Sequence, residues 1–305
     1  MNILVIKHGA LGDIFLSIGA IQSIRKHFPD SKLFLLTQSN YKNILSAFPE
    51  VDAILEDNRE FIISSVAKIL NFISEYQINL VIDLQNSSRT QLYNFFIKYF
   101  TKSKILSARK FSTYLYQQQP LGQQHITENH KDQLGKIGIN NYQISNLKWM
   151  LKKNKINNTK PYVIFIPGAS KSGDYKRWPT DNYGSIANYL ANKNYDIYLT
   201  GSKLDKDIID EIINICPVAI NKIKDSKIDD FYNLCLNSSL IISNDTGPAH
   251  IAGLTNQHLI WLANDNKISI TCHPLGKNVH QIKSDSVKDI HPNQVIQKID
   301  NILKL

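Results

Sequence analysis

The chain has 305 residues, 43% hydrophobic and 20% charged, a balance that excludes wholesale disorder and supports about two globular domains of roughly 150 residues. Lys and Arg number 35 against 26 Asp and Glu, so the net charge is +9 and the pI near 9.2. That excess points to an anionic partner, whether nucleic acid, a phosphorylated small molecule or an acidic membrane surface, or else to compositional drift in a chain rich in Lys, Ile and Asn. Cys216, Cys235 and Cys272 are odd in number and widely spaced with no C-x-x-C pair, which argues against a disulfide framework or a structural zinc and for reduced thiols. The apolar run at Ile3–Ile6 stops at Lys7, too short for a signal-peptide core, and no stretch approaches the 18 or so apolar residues of a membrane span. The expected location is cytoplasmic, peripheral to a membrane at most.

Along the first half, short apolar runs alternate with amphipathic ones. Ile3–Ile6 reads as a buried parallel strand, and Ile14, Ile18, Ile21 and Ile24 then recur at helical spacing. Lys32–Leu36 predicts a second strand, Tyr41–Phe48 a short helix, Asp52–Leu55 a third strand and Phe61–Tyr76 a helix. Asn79–Leu84 is a further strand, with a helical pattern from Arg89 to Tyr99. Residues 139–160 change character, with the polar run Lys152–Asn158 at their centre, and make the best linker between a domain of residues 1–150 and one of residues 161–305. Alternation then resumes. Strands are expected at Tyr162–Ile166, Ile197–Leu199, Leu240–Ser243 and His258–Leu262, and helices at Asp181–Ala191, Asp205–Ile213, Pro248–Leu254 and Asn293–Leu303. Two α/β domains, each an open parallel sheet, with a ligand in the cleft between them, is the economical reading.

Three loops carry chemistry. His8-Gly9-Ala10-Leu11-Gly12-Asp13 turns from the first strand into the first helix, and its glycines permit a sharp turn. It is not the dinucleotide fingerprint, because G-x-G-x-x-G is absent and an aspartate beside a helix start repels pyrophosphate. Asp13 reads either as an N-cap or as a carboxylate at the ligand edge of the sheet. The second loop, Pro167 to Pro179, places Ser170, Lys171, Lys176 and Arg177 where hydroxyls, amides and cations suit an anionic group, though the charges equally suit a solvated surface. In the third, Ser243 to His250, a buried strand runs into a turn with Asp245, Thr246 and Gly247, then Pro248 as the first helical residue and His250 one turn on. Threonine, glycine and histidine fall where a diphosphate wants donors. Ser87-Ser88-Arg89-Thr90 after Asp83-Leu84-Gln85 either lines the ligand edge or caps a helix. The histidines show no ligand spacing of the H-E-x-x-H kind, so no metal site is expected.

Taken together, Leu11-Gly12-Asp13, Asp83-Leu84-Gln85 with Arg89, Lys176-Arg177-Trp178-Pro179, Gly201-Ser202 with Asp205, and Asp245-Thr246-Gly247-Pro248 with His250 resemble glycosyltransferase family 9. The ADP-heptose:lipopolysaccharide heptosyltransferases are its best-known members, and the landmarks run from Met1 to near Val295 in the family's order. The resemblance implies an α/β chain of GT-B type, two Rossmann-like domains facing across a cleft, acceptor to the first and nucleotide-sugar to the second. It implies inverting transfer of heptose from ADP-heptose to the lipopolysaccharide inner core, with no cofactor and no metal. Asp13 matches the general base, Lys176 the phosphate-neutralising lysine, and Thr246, Gly247 and His250 the diphosphate turn. Asp205 falls where the family binds ribose, and Ser170 and Asp245 lie beside the donor. Gly12, Gln85, Arg89 and Arg109 fall to the acceptor side, where Lys102, Lys104 and Lys110 add positive charge. The implied partners are an ADP-sugar, a phosphorylated glycolipid and the inner face of the membrane, not nucleic acid. The chain departs from the family at Leu262–Asn266, where many members have G-P-T-x-P, which leaves open another nucleotide-sugar or acceptor, or a non-catalytic nucleotide-sugar-binding protein.

Overall fold

Continuously apolar runs become the inner strands of two parallel sheets, because a strand covered by helices on both faces has no polar side to show. The computed structural model describes residues 1–152, 160–170, 173–223 and 227–305, and divides into two units, Met1–Trp149 and Met150–Leu305. In the first unit the strands are β1 (Asn2–Ile6), β2 (Lys32–Thr37), β3 (Ala53–Glu56), β4 (Leu80–Asp83), β5 (Lys104–Ser107) and β6 (Tyr114–Leu115). Between and after them come α1 (Leu11–His27), α2 (Lys42–Leu45), α3 (Ile62–Glu75), α4 (Ser88–Phe100) and α5 (Ile126–Gly135). All pairings are parallel, in the order β3-β2-β1-β4-β5-β6.

The second unit repeats that order. Its strands are β7 (Tyr162–Ile166), β8 (Asp196–Leu199), β9 (Ile220–Asn221), β10 (Leu240–Asn244), β11 (Leu259–Asn264) and β12 (Val279–Ser284), arranged β12-β11-β10-β7-β8-β9 and again all parallel. The helices are α6 (Thr180–Asn192), α7 (Lys206–Ile215), α8 (Ile228–Leu236), α9 (Gly247–Gly253), α10 (Lys267–Thr271) and α11 (Pro292–Leu303). Counted within its own unit, each sheet reads 3-2-1-4-5-6, the dinucleotide-fold order whose connections reverse direction between strands 1 and 4. No sequence repeat announces this duplication.

The cores follow from the same apolar runs. Ile3, Leu4, Val5 and Ile6 are completely buried, as are Val163, Ile164 and Phe165, each such side chain contributing about 1.5–3 kcal/mol by leaving water. Trp178, Tyr183, Ile186, Leu190, Ile209 and Ile212 close one face of the second sheet. The predicted helix over Tyr41–Phe48 is shorter than expected, a 3₁₀ turn at Ser39–Tyr41 followed by the single turn α2. None of the three cysteines is in a disulfide, and Cys216 and Cys235 are buried.

The first part of the expected linker is a strap along α1. Gln143 N donates to Ser23 Oγ at 2.7 Å, Gly19 N to Ser145 Oγ at 3.0 Å, and Asn146 N to Gln22 Oε1 at 2.9 Å. A side chain at Gly19 would put its Cβ 2.5 Å from the Gln143 carbonyl oxygen, so glycine is what lets the strap lie flat on the helix. Met150 and Lys152 instead belong to the second unit: Asn233 Nδ2 donates to Met150 O at 2.8 Å, and Lys152 pairs with Asp229 and Asp230 of α8. Residues 153–159 lie outside the described residues.

Candidate active site

In an open parallel sheet, ligands bind beyond the carboxyl ends of the strands where the winding reverses. In the first unit that point lies between β1 and β4. The chain leaves β1 through Lys7 and His8 and turns at Gly9, whose φ of +118° lies in a region L side chains rarely adopt. α1 begins after Ala10, so Asp13 is the third helical residue and not the N-cap. Its Oδ2 accepts from Ala10 N at 2.8 Å, while Oδ1 has no protein partner among the described residues. A Cβ on Gly9 would stand 2.5 Å from Asp13 Oδ2. Glycine therefore serves twice here, for the turn and for the carboxylate packed against it.

Two glutamines brace the turn. Gln85 Oε1 accepts from His8 N and Gln38 Oε1 from Gly9 N, each at 3.2 Å. Behind it lies a buried charged cluster. His8 Nε2 is 3.2 Å from Asp57 Oδ2, although poorly aligned for a hydrogen bond; Tyr93 donates to the same oxygen at 2.6 Å and Ser65 to Oδ1 at 2.7 Å. Burial alone would raise the Asp57 carboxyl, but the His8 ring, the Tyr93 and Ser65 hydroxyls and the Arg59 amide outweigh it and hold the group well below the usual carboxylate range. Burial, reinforced by the Asp57 contact, pushes the Tyr93 hydroxyl up to about 12.

This cluster absorbs Arg89. Its guanidinium donates to the Tyr93 hydroxyl, to Ser65 Oγ at 2.9 Å and to Glu60 O at 3.2 Å, 3.8 Å from Asp57. Arg109 likewise holds backbone, its Nε donating to Asn86 O at 2.5 Å. Asp83 is completely buried; its Oδ1 accepts from the amides of Gln85 and Asn86 at 3.0 and 2.9 Å, and its Oδ2 from Ser107 Oγ at 3.1 Å. Burial raises its carboxyl against those hydrogen bonds. Asp83 thus builds the turn that carries Gln85. Gly12 is buried in the first turn of α1.

In the second unit the reversal lies between β7 and β10, and the two remaining loops meet there. Lys176 Nζ is 2.6 Å from Asp245 Oδ2, an ion pair with both side chains largely buried. Asn244, the last residue of β10, ties the loops together. Its Nδ2 donates to Pro167 O at 2.6 Å, and its Oδ1 accepts from Trp178 N at 3.2 Å and from Tyr183 Oη at 3.0 Å. Trp178 is pinned in turn by its indole N–H, which donates to Ile290 O at 2.8 Å. Thr246 is the N-cap of α9 with no side-chain capping bond, so its hydroxyl is not spent on the helix; Pro248 enters the first turn and His250 is buried in it. Arg177 faces Asp174 and Ala169 O. Ser170 is exposed beside Gly173, and Lys171 lies outside the described residues.

Asp205 joins the same edge from β8. Its Oδ2 accepts from Ser202 N and Oγ at 2.8 and 2.7 Å, while Oδ1 is buried with no hydrogen-bond partner among the described residues. The carboxylate packs onto Gly168, where a Cβ would come within 2.4 Å of it. A buried anionic oxygen without a donor is costly unless a ligand hydroxyl or water supplies one. Over Leu262–Asn266, Asn264 bridges Tyr175 O and Val287 N, and Asn266 caps α10. Among the described residues, no group of three or more His, Cys, Asp or Glu side chains is placed to hold a metal ion.

The structure thus puts Asp13, Gly12 and Gln85 at one edge, and Lys176, Asp205, Asp245, Thr246, Gly247 and His250 at another, each within its own unit. Gln38, Asp57, Tyr93 and Asn244 were not singled out from sequence. Their signal is weak: Gln38, Asp57 and Asn244 are polar residues at or just beyond a strand end and Tyr93 is an aromatic on the buried face of α4, with no spacing to link them to their partners. Gly9→Ala is expected to lower any turnover that uses Asp13 by about tenfold or more, through about 1–3 kcal/mol of backbone strain and displacement of the carboxylate. Steady-state rates beside a circular dichroism melt check this; a folded variant with wild-type turnover contradicts it.

Comparison with known proteins gives a consistent result. The model of glycosyltransferase family 9 (heptosyltransferase) matches residues 66–299. Lipooligosaccharide heptosyltransferase 2 of Haemophilus influenzae is 23% identical over an alignment covering 99% of each chain. Among solved structures, E. coli ADP-heptose LPS heptosyltransferase II superposes with a TM-score of 0.76 at 20% identity, covering 99% of this chain and 98% of that one. E. coli heptosyltransferase WaaC with ADP-2-deoxy-2-fluoro heptose gives 0.79 at 15% identity, covering 99% of each chain.

Proposed function

The chain belongs to glycosyltransferase family 9 (heptosyltransferase) and has the GT-B fold of two Rossmann-like domains, and from that premise we propose that it transfers heptose from ADP-heptose to a phosphorylated sugar of the lipopolysaccharide inner core, inverting the anomeric carbon without a metal. The observation that carries the reading is the pairing of chemistries at the two sheet edges: a carboxylate with a free oxygen in the first unit and a cation among donors in the second. Inversion needs a base to take the proton of the attacking acceptor hydroxyl on the face opposite the leaving group. Asp13 Oδ1 is that base, with Oδ2 anchored on Ala10 N. As the sugar–phosphate bond breaks, negative charge grows on the departing ADP. Lys176, the Thr246 hydroxyl, the Gly247 amide and His250 stabilise it. Asp205 Oδ1 accepts from a ribose hydroxyl, which supplies the donor it lacks, and Ser170 borders the same nucleotide.

The relatives' names support the donor and acceptor: one acts in lipooligosaccharide synthesis and one was solved with an ADP-heptose analogue. Gln85 and Gly12 face the acceptor, with Arg89 and Arg109 holding that edge in shape. No helix among the described residues is long and apolar enough to cross a membrane. On the proposed reading the enzyme meets its glycolipid as a peripheral protein at the inner face of the cytoplasmic membrane. The turn at Leu262–Asn266 favours a second reading, a different nucleotide-sugar on the same machinery. Calorimetry with ADP, UDP, GDP and NAD separates the two. ADP is expected to bind at least about tenfold more tightly than the others, a difference of about 1.4 kcal/mol; preference for another nucleotide ends the ADP-heptose reading and leaves the fold's chemistry intact.

A further inference from the structure

The first unit presents an aromatic surface with a single sign of charge. Residues 84–127 contain no aspartate or glutamate, yet hold six Lys and Arg and eight Phe and Tyr. α4 buries Thr90, Tyr93, Asn94 and Ile97, and turns Leu92, Phe95 and Tyr99 outward at helical spacing, 47%, 36% and 62% exposed, with Phe100 beside them at 69%. A surface helix normally carries polar side chains there. Phe95 packs against Tyr99 at 4.9 Å and against Phe111 at 5.1 Å between ring centroids. Phe111 sits at φ +71°, an uncommon conformation for a bulky residue, and it adds its ring to the patch from the loop after β5. Lys98, Lys102, Lys104 and Lys110 are all exposed along this segment, and none has an ion-pair partner among the described residues.

We propose that the outer face of α4, with Phe111, docks the enzyme on an anionic phospholipid surface, the aromatic rings entering the headgroup region and the lysines meeting the lipid phosphates. The pattern is that of an interfacial helix: aromatics that suit the headgroup level, and cations drawn to a negative surface. A second copy of the chain fits less well, because a twofold contact would set this acid-free surface against itself, cation to cation. Leu92 is one turn from Arg89, about 4.5 Å along the axis. The docked face therefore runs up to the edge where Gln85 and Asp13 stand. This deepens the membrane reading above and names its surface, but its observations do not depend on the identity of the donor.

The test is flotation of the full-length protein with phosphatidylcholine vesicles, with or without an equal share of phosphatidylglycerol. Wild type should float with the anionic vesicles and not with the neutral ones. Lys98→Gln should bind roughly fivefold more weakly, and Tyr99→Ser/Phe100→Ser should lose a comparable factor or more. Lys98, Tyr99 and Phe100 are exposed, so both variants keep the wild-type melting temperature and its transfer rate onto a short acceptor fragment that has no acyl chains. Failure of wild type to float, or equal flotation of the variants, overturns the docking surface. So does a dimer that dissociates in Tyr99→Ser/Phe100→Ser without vesicle binding, or flotation that requires the acceptor glycolipid and ignores phosphatidylglycerol. The two readings fail separately: vesicle binding without sugar transfer removes the proposed function, and transfer to the fragment without vesicle binding removes only the docking face.

Discussion

Asp13→Asn is expected to reduce sugar transfer about 10²–10⁴-fold, the range a positioned general base supplies, while ADP affinity stays within about twofold of wild type. The substitution suits the question because the asparagine carbonyl can accept from Ala10 N as Asp13 Oδ2 does, at 2.8 Å, so the start of α1 and the Gly9 turn are preserved. What disappears is basicity at the remaining oxygen. Single-turnover measurements with saturating donor separate this loss from binding. Unchanged turnover would remove Asp13 from the chemistry, and a fall in donor affinity or melting temperature would show that the carboxylate serves the fold.

Lys176→Ala has the second large expected effect, about 10²–10³-fold in transfer together with about tenfold or more in ADP affinity, as for loss of a hydrogen bond to a charged group. Two losses are combined in it. The ammonium leaves the departing phosphate, and Asp245, largely buried, is stranded without its partner 2.6 Å away. Adding Asp245→Asn removes the stranded charge. The double variant is expected to recover much of the ADP affinity and little of the rate, because, of this pair, it is Lys176, not Asp245, that meets the charge developing as the bond breaks. Full recovery of the rate in the double variant would show that Lys176 only neutralises Asp245.

The two sheets are legible in the sequence where a strand is buried on both faces. β7 is an unbroken apolar run, β1 is apolar from Ile3 to Ile6 and β10 from Leu240 to Ile242, and the helices that follow β1 and β7 carry apolar residues at regular spacing. Elements that bury polar side chains are not. α5 turns Thr127, Asn129, His130 and Gln133 inward, and Gln133 spends its amide on Asp83 O and Asn86, so no apolar stripe marks the helix. β5 is only four residues and opens on an exposed lysine; β12 is an edge strand without completely buried positions. The same division runs through the site. Asp13, Lys176 and Asp205 lie in or just after strand-to-helix turns whose residue types mark them as candidates. Gln38 and Asn244 act on backbone groups far away in the chain, Asn244 on residues 61 to 77 positions distant, and that geometry exists only once the sheets have formed.

The repetition of one strand order in both units has a consequence for how such an enzyme changes. The braces around Asp13 draw every member from residues before Trp149, and the ties around Lys176 and Asp245 draw every member from residues after it. Among the described residues, each edge is held by side chains of its own unit. Under the proposed function, the loop at Leu262–Asn266 can therefore change without loosening the Asp13 carboxylate, and the edge around Asp13 can be remodelled without disturbing the residues around Lys176. On that reading, a chimera that joins the first half of one such enzyme to the second half of another is expected to take its acceptor from one parent and its donor from the other, and transfer assays with both parents' substrates check this.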